Sequence, residues 1–301
     1  EAASFKMHVF HPEETQTERA KFVPQDVEVM PGVRQTDVKI RTSDDEELGA
    51  RLLLQVDKAG QPVTQQPLFL CFHREDEDVD TYVKKANSAF EPLQAASASA
   101  IVIDYRGHGF STGEPAQKLL NADAEFVCDA LPGIFKERNF PWPWPGGFAL
   151  FGSQLGSRVA CHLAGVRGQL FDKGVVIETA WCGSHAPGAK PPQAPREGDQ
   201  ERFEKIVWGP AVVAATVDVG AFCRTLVTEA GSDHAEAFCY VRGNEDLIRG
   251  FDGRLLVIHG EQDVQTEYSH AQRLHDAAES ARRTIRIIKG KGPDILRADE
   301  K

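Results

Sequence analysis

The sequence predicts an α/β protein: a doubly wound, mostly parallel sheet with an antiparallel N-terminal hairpin and a lid-like insertion. Two observations carry that expectation. Short apolar runs at 68–72, 100–103, 148–151, 175–177 and 255–259 have the length and composition of strands buried on both faces. Between them lie apolar–polar periodicities of helical type at 79–94, 117–137, 155–166 and 266–279. Strand, helix and strand repeated in this way imply right-handed crossovers and a sheet covered on both sides. In such sheets ligands bind beyond the carboxyl ends of the strands, so chemistry is expected in the loops after Phe72, Ile103, Phe151, Ile177 and His259.

Taken in order, residues 1–25 mix charge and proline with few periodic apolar positions and read as a surface arm. The domain proper is expected over 26–301. It opens with alternating segments at 35–41 and 48–56, joined by the acidic turn Ser43-Asp44-Asp45-Glu46-Glu47. That is a hairpin signal, although the turn lacks its usual glycine. A final strand is expected at 284–288. One stretch breaks the rhythm: 186–195 reads Ala-Pro-Gly-Ala-Lys-Pro-Pro-Gln-Ala-Pro, which continues neither a helix nor a central strand. Residues 184–246 are therefore expected to form a lid or a docking insertion.

With 301 residues, 41% of them hydrophobic and 26% charged, the chain can bury a sizeable core. Lys and Arg number 34 against 45 Asp and Glu, a net charge of −11. That balance argues against nucleic acid, which calls for a basic face, and against charge-driven docking to anionic lipid. No apolar run reaches the roughly 18 residues that a membrane-spanning helix needs. Six cysteines, at 71, 128, 161, 182, 223 and 239, show no CxxC pair and no Cys/His quartet, so neither a zinc site nor any other metal or cofactor is expected. Cys71 and Cys161 sit in apolar runs as small buried thiols, and a reducing intracellular compartment is the expectation. The first residue is Glu1, not Met, so an organelle reached after removal of a targeting peptide is expected.

Three loops then point to one family. The first reads Asp104-Tyr105-Arg106-Gly107-His108-Gly109-Phe110-Ser111-Thr112-Gly113. The second, Gly152-Ser153-Gln154-Leu155-Gly156, has the form of a strand-to-helix elbow. The third, Leu256-Val257-Ile258-His259-Gly260-Glu261-Gln262-Asp263, ends a strand with an acid. In this order at these strand ends, they resemble the α/β-hydrolase family, near its serine-aminopeptidase-like branch. The resemblance runs from about Val27 to the end of the chain. It implies a nucleophile at the elbow, an acid after the strand at 255–259, and a histidine after the last strand.

The chain departs from that pattern at each chemical position. Gln154 stands where the resemblance places the nucleophile, and a neutral amide forms no acyl intermediate. Ser153 and Ser157 are adjacent but not central in the elbow. The family's histidine position falls on Pro293, in Lys291-Gly292-Pro293-Asp294, and proline accepts no proton. No histidine follows His275. The oxyanion loop reads His73-Arg74-Glu75-Asp76-Glu77-Asp78, with Arg74 where the family has a glycine and Glu75 adding negative charge; Glu77 and Asp78 match family positions. Asp263 remains at the acid position, and without a base its expected task is to support the helix that follows.

Other candidates carry less. Cys182 and His185 lie close in sequence after the strand at 175–177, but a thiolate–imidazolium pair is defined by geometry. The pairs His8/His11 and Asp233-His234 adjoin no predicted strand end. Trp142 and Trp144, interleaved with prolines, form either a recognition surface or a packed loop. Arg106 and His108 are expected to tie neighbouring loops together. The expectation is a pseudoenzyme: a non-catalytic α/β-hydrolase-fold protein serving as a structural or accessory subunit of a larger assembly, docking through the arm and the segment 186–195. The alternatives are a small-ligand-binding module using the inherited pocket, and a serine or cysteine hydrolase with a relocated centre.

Overall fold

Periodicity and apolar run length alone place most strands correctly. The computed structural model describes residues 21–75, 77–84, 90–116, 119–179, 243–263, 266, 268–280, 282–292 and 295. Among them nine strands form one sheet: β1 (Val27–Met30), β2 (Val33–Arg41), β3 (Glu47–Gln55), β4 (Leu68–Phe72), β5 (Ser99–Ile103), β6 (Phe148–Ser153), β7 (Gly174–Glu178), β8 (Leu255–Gly260) and β9 (Arg283–Ile288). Their order is β1-β2-β3-β5-β4-β6-β7-β8-β9. The first three strands and the β3–β5 pair are antiparallel; from β5 onward every pair is parallel. The chain leaves β4 for β5 on one side and returns to β6 on the other. That reversal puts a crevice at the carboxyl ends of β4 and β6.

The helices are α1 (Val79–Lys84), α2 (Glu91–Ala95), α3 (Leu120–Glu137), α4 (Leu155–Arg167), α5 (Asn244–Ile248) and α6 (Tyr268–Ala277). One core joins the sheet to α3, α4 and α6 through Val127, Leu131, Phe135, Val159, Leu163 and Leu274, all at most 1% exposed. A second core, on the opposite face, holds Leu53, Cys71, Val79, Tyr82, Phe90, Val102 and Phe151 under α1 and α2. Burying apolar area on both faces is what holds the layers together, at about 25 cal/mol per Å² removed from water.

Three expectations need correcting. The helix read over 79–94 is two short helices, because Pro92 opens α2 and has no N–H to continue a preceding one. The strand β1 was not foreseen: Val27 and Val29 are exposed, so it lacks the alternation of a half-buried strand. Residue 246, read as the end of the insertion, lies inside α5, which packs on α4 with Leu247 O against Gly165. The glycine-free hairpin turn is solved by Asp45, which takes φ +65°, a conformation Asp tolerates better than most residues.

Of the arm, only residues 21–25 are described: Asp37 N–H donates to Val23 O at 2.9 Å, and Val23 N–H donates to Asp37 Oδ2 at 2.8 Å. The segments 1–20 and 180–242, with the Pro-rich 186–195 stretch, Cys182, His185, Asp233, His234, His8 and His11, lie outside the described residues, as does Pro293. Among the described residues no helix is long and apolar enough to cross a membrane, and no group of three or more His, Cys, Asp or Glu side chains is placed to hold a metal ion.

Candidate functional site

The elbow is built by its glycines. β6 passes into α4 through the single residue Gln154, at φ +48° and ψ −108°. A side chain there costs about 1–3 kcal/mol of local strain. The turn is forced by close packing on either side. A Cβ at Gly152 would stand 2.2 Å from Gly156 O, and one at Gly156 would stand 2.0 Å from Phe72 O. Gln154 N–H donates to Glu178 O at 3.1 Å, and its carbonyl accepts from Ser157 N–H at 3.0 Å and Ser157 Oγ at 2.5 Å. The carboxamide Nε2 of Gln154 is buried with no protein acceptor.

Neither neighbouring serine takes the nucleophile's place. Ser153 is the last residue of β6 and is only 3% exposed. Ser157 is fully buried, its hydroxyl donating to Gln154 O and accepting from Asn244 Nδ2 at 3.2 Å.

The loop after β4 carries His73, Arg74 and Glu75. Its backbone turns inward on itself: Arg74 N–H donates to Glu77 Oε2 at 3.4 Å, and Glu77 N–H to Arg74 O at 3.3 Å. An N–H that donates to a carboxylate is not free for a developing oxyanion. Asp78 then starts α1 by a reciprocal cap with Thr81, both N–H bonds at 2.8 Å. His73 is fully buried; its Nδ1 lies 2.6 Å from Arg74 O, to which it donates, and its Nε2 stands 3.5 Å from Asp104 Oδ1. Its own carbonyl accepts from Tyr105 Oη at 2.7 Å.

The loop after β5 closes over this one. Both ring nitrogens of His108 face carbonyls, Arg106 O at 3.1 Å and Glu75 O at 3.2 Å. Burial, reinforced by His73, holds the His108 imidazole below its usual pKa. Arg106 grips Asp44 of the hairpin turn and Asp123 of α3 with two bonds each, at 2.7–3.0 Å. Its guanidinium holds the Asp44 carboxyl well below the usual carboxylate range. These contacts join three segments: the hairpin turn, the loop after β5 and α3.

At the acid position, Asp263 Oδ1 accepts the N–H of Thr266 at 2.9 Å, bending the chain toward α6. His259 Nε2 donates to Thr266 O at 2.8 Å and stands 3.8 Å from Asp263 Oδ2. Beside this turn runs the end of the β9 loop. Gln262 N–H donates to Lys291 O at 2.8 Å, and a Cβ at Gly260 would stand 2.1 Å from Gly292 O. Gly292 immediately precedes Pro293.

Register brings together a set of residues that sequence reasoning did not assemble. Ser153 pairs with Glu178 across β6 and β7. One step beyond the pairs Phe72–Ile103 and Phe72–Gly152, Asp104, His73 and Ser153 also come side by side. Asp104, His73, Ser153 and Glu178 thus form a polar row across four adjacent strand ends, all at most 5% exposed. Thr179, next to Glu178, takes φ +49°, a second strained strand end beside the elbow. Each is the first or second residue after an apolar run, which was visible in the sequence; their common face was not. Trp144 is a packed residue, its Nε1 donating to Gln66 O at 2.7 Å, whereas Trp142 is 38% exposed against Phe135 and Phe148.

No protein-family model matches the chain. Among solved structures it is similar to an esterase of Pyrococcus furiosus, with a TM-score of 0.52 and 12% identity over 92% of this chain and 91% of that one. It is likewise similar to Est1E of Butyrivibrio proteoclasticus, solved with ferulic acid bound, at a TM-score of 0.52, 13% identity, and 86% and 91% coverage. The esterase domain of a Rhodothermus marinus protein matches at a TM-score of 0.50, 15% identity, and 87% and 90% coverage. Identities this low speak for architecture alone. With its strand order, elbow and near end-to-end likeness to these proteins, the chain has the α/β-hydrolase fold.

Proposed function

We propose that this chain is a non-catalytic α/β-hydrolase-fold protein, acting as a structural or accessory subunit of a larger protein assembly. The observation that carries the first half is the elbow. Its backbone has the strained conformation that lifts one side chain into the site, and that side chain is the carboxamide of Gln154. Proline at 293, the Arg74 N–H engaged by Glu77, and Asp263 engaged by Thr266 support the same reading. Restoring one group does not restore a relay that lacks its base. The Gln154→Ser variant is therefore expected to hydrolyse p-nitrophenyl esters no faster than wild type. A gain of 100-fold or more would overturn the proposal.

The assembly role rests on the arm and the Pro-rich segment 186–195, which have the composition of docking segments rather than of core. Native gel migration of the endogenous protein with a large complex is the expected result. Deleting residues 187–195 should release the protein, and unchanged incorporation would refute that route.

One observation favours a second reading, a small-ligand module. The buried Gln154 Nε2 has hydrogens to donate and no protein acceptor, which suits an acceptor-bearing ligand. A thermal-shift screen with carboxylic acids, esters and lipids tests it, since a ligand selective for the folded state raises stability. No shift at millimolar ligand would remove this reading.

A further inference from the structure

We infer that the outer edge of β2 is a binding site for an extended peptide segment, filled by residues 21–24 of this chain, and that Arg51 links its occupancy to α1. β1 covers that edge only as far as Gln35, which pairs with Val27. Pro24 has no N–H with which to carry the ladder on toward Thr36 and Asp37. Side chains of the body complete what the ladder leaves unpaired. Asp37 N–H donates to Val23 O at 2.9 Å, and Asp37 Oδ2 accepts the N–H of Val23 at 2.8 Å. Thr36 Oγ1 accepts from Arg138 Nη1 at 3.0 Å, which leaves its own hydrogen for Pro24 O at 3.4 Å. Arg51 Nη2 donates to Lys21 O at 3.3 Å.

On the segment's side every one of these bonds is made by main chain, so the site reads an extended backbone rather than particular side chains. One side chain adds to it. Phe22 meets Phe110 edge to face with ring centroids 5.3 Å apart, and Lys39 Nζ lies 5.6 Å from the Phe22 centroid. Phe110 owes its seat to Gly49, where a Cβ would stand 2.6 Å from the ring. The ligand class is therefore an extended peptide with an aromatic residue just before the N–H that Asp37 binds. The site is built on two fully buried charges. Asp37 and Arg51 are paired by two bonds of 2.8 Å, and a carboxylate so held makes a strong acceptor for an N–H. The same guanidinium holds Asp80, in the first turn of α1, through Nη1. One side chain thus touches the bound segment, β2 and α1.

With the segment gone, Arg51 would lose Lys21 O and Asp37 would lose the Val23 N–H, and water would reach a pair that is otherwise enclosed. The grip on Asp80 would loosen with them, and with it the start of α1. The inference depends neither on the loss of catalysis nor on the assembly role.

Trypsin reads the docking directly, because it cleaves after Lys21, whose carbonyl Arg51 holds. A bond held in the site must leave it before a protease takes it, so the appearance of chain beginning at Phe22 measures undocking. In the full chain this cleavage is expected to be about 100-fold slower than in a free peptide of residues 15–27. Phe22→Ala and Val23→Pro, each referred to a peptide with the same change, should lose about tenfold of that protection. Hydrogen exchange at the Tyr82 amide, which closes the first turn of α1 on Asp78 O at 2.9 Å, should quicken by a similar factor in both variants. Cleavage of wild type as fast as of its free peptide, or variants as protected as wild type, would overturn the site. Lost protection with unchanged exchange at Tyr82 would overturn the link through Arg51. Should one variant fail to fold, the other carries both measurements.

Discussion

The elbow and the loop after β4 follow adjacent strands, and on the proposed reading they differ in different ways from what hydrolysis requires. At the elbow the backbone is that of a nucleophile turn, down to the positive φ at Gln154, and only the side chain is unsuited. At the loop after β4 the side chain of Arg74 is the least of the change. The N–H that would face an oxyanion is bonded to Glu77, and Glu75 lends its carbonyl to His108. The elbow's geometry is fixed by packing: Gly152 and Gly156 stand so close to neighbouring backbone that the turn cannot relax without disturbing β4. The facing loop is held instead by hydrogen bonds from Tyr105, His108 and Glu77. Architecture is held where glycines are pressed against main chain, whereas a catalytic group is a single side chain that the packing does not require.

Substitutions on the two sides should separate these causes. The largest effect is expected for Gly156→Ala, whose new Cβ would meet Phe72 O at 2.0 Å and His73 O at 2.9 Å. Main-chain oxygens do not move aside as side chains do, so a loss of about 3 kcal/mol in urea unfolding is expected. Two residues away, Gln154→Gly should act in the opposite direction. Relief of the φ +48° strain outweighs the added freedom of the unfolded chain, for a gain of about 1 kcal/mol in the same measurement. A loss instead would mean that the Gln154 side chain makes contacts that hold the turn.

The facing loop should be the pH-sensitive side. His108 has its folded pKa below its ordinary value of 6.5, chiefly through burial. The unfolded chain therefore binds this proton more readily. Its contribution to stability is complete above pH 6.5 and is lost as pH falls through that value toward the folded pKa. The melting temperature of wild type should decline over that window, and His108→Asn should flatten the decline. No effect at all is expected at the thiols of the core. Burial pushes the thiols of Cys71 and Cys128 up to about 12, so neither should be alkylated by iodoacetamide in the native protein at neutral pH.

The strands buried on both faces were legible in the sequence because their apolar runs have no competing reading: β4 was placed at 68–72 and found there. β1 was not, since Val27–Met30 gains its pairing from β2 rather than from burial of its own side chains. The elbow could be read from glycine spacing, because two close backbone approaches leave few other residues admissible. The polar row of Asp104, His73, Ser153 and Glu178 was hidden for the opposite reason. Each member was visible after its own apolar run, but their shared face is set by register among four strands that lie far apart in the chain, from His73 to Glu178. Likewise nothing local in His73-Arg74-Glu75-Asp76-Glu77 says that the Arg74 N–H turns to Glu77; that follows from where α1 begins.

The central claim is the loss of catalysis, and covalent labelling addresses it most directly. Purified protein should be incubated with a fluorophosphonate probe, digested, and read by mass spectrometry, beside an ester-hydrolysis assay of the same sample. The account predicts no stoichiometric adduct on any residue and no turnover above that of Gln154→Ala. A single serine labelled to completion, whose replacement abolishes hydrolysis, would contradict it.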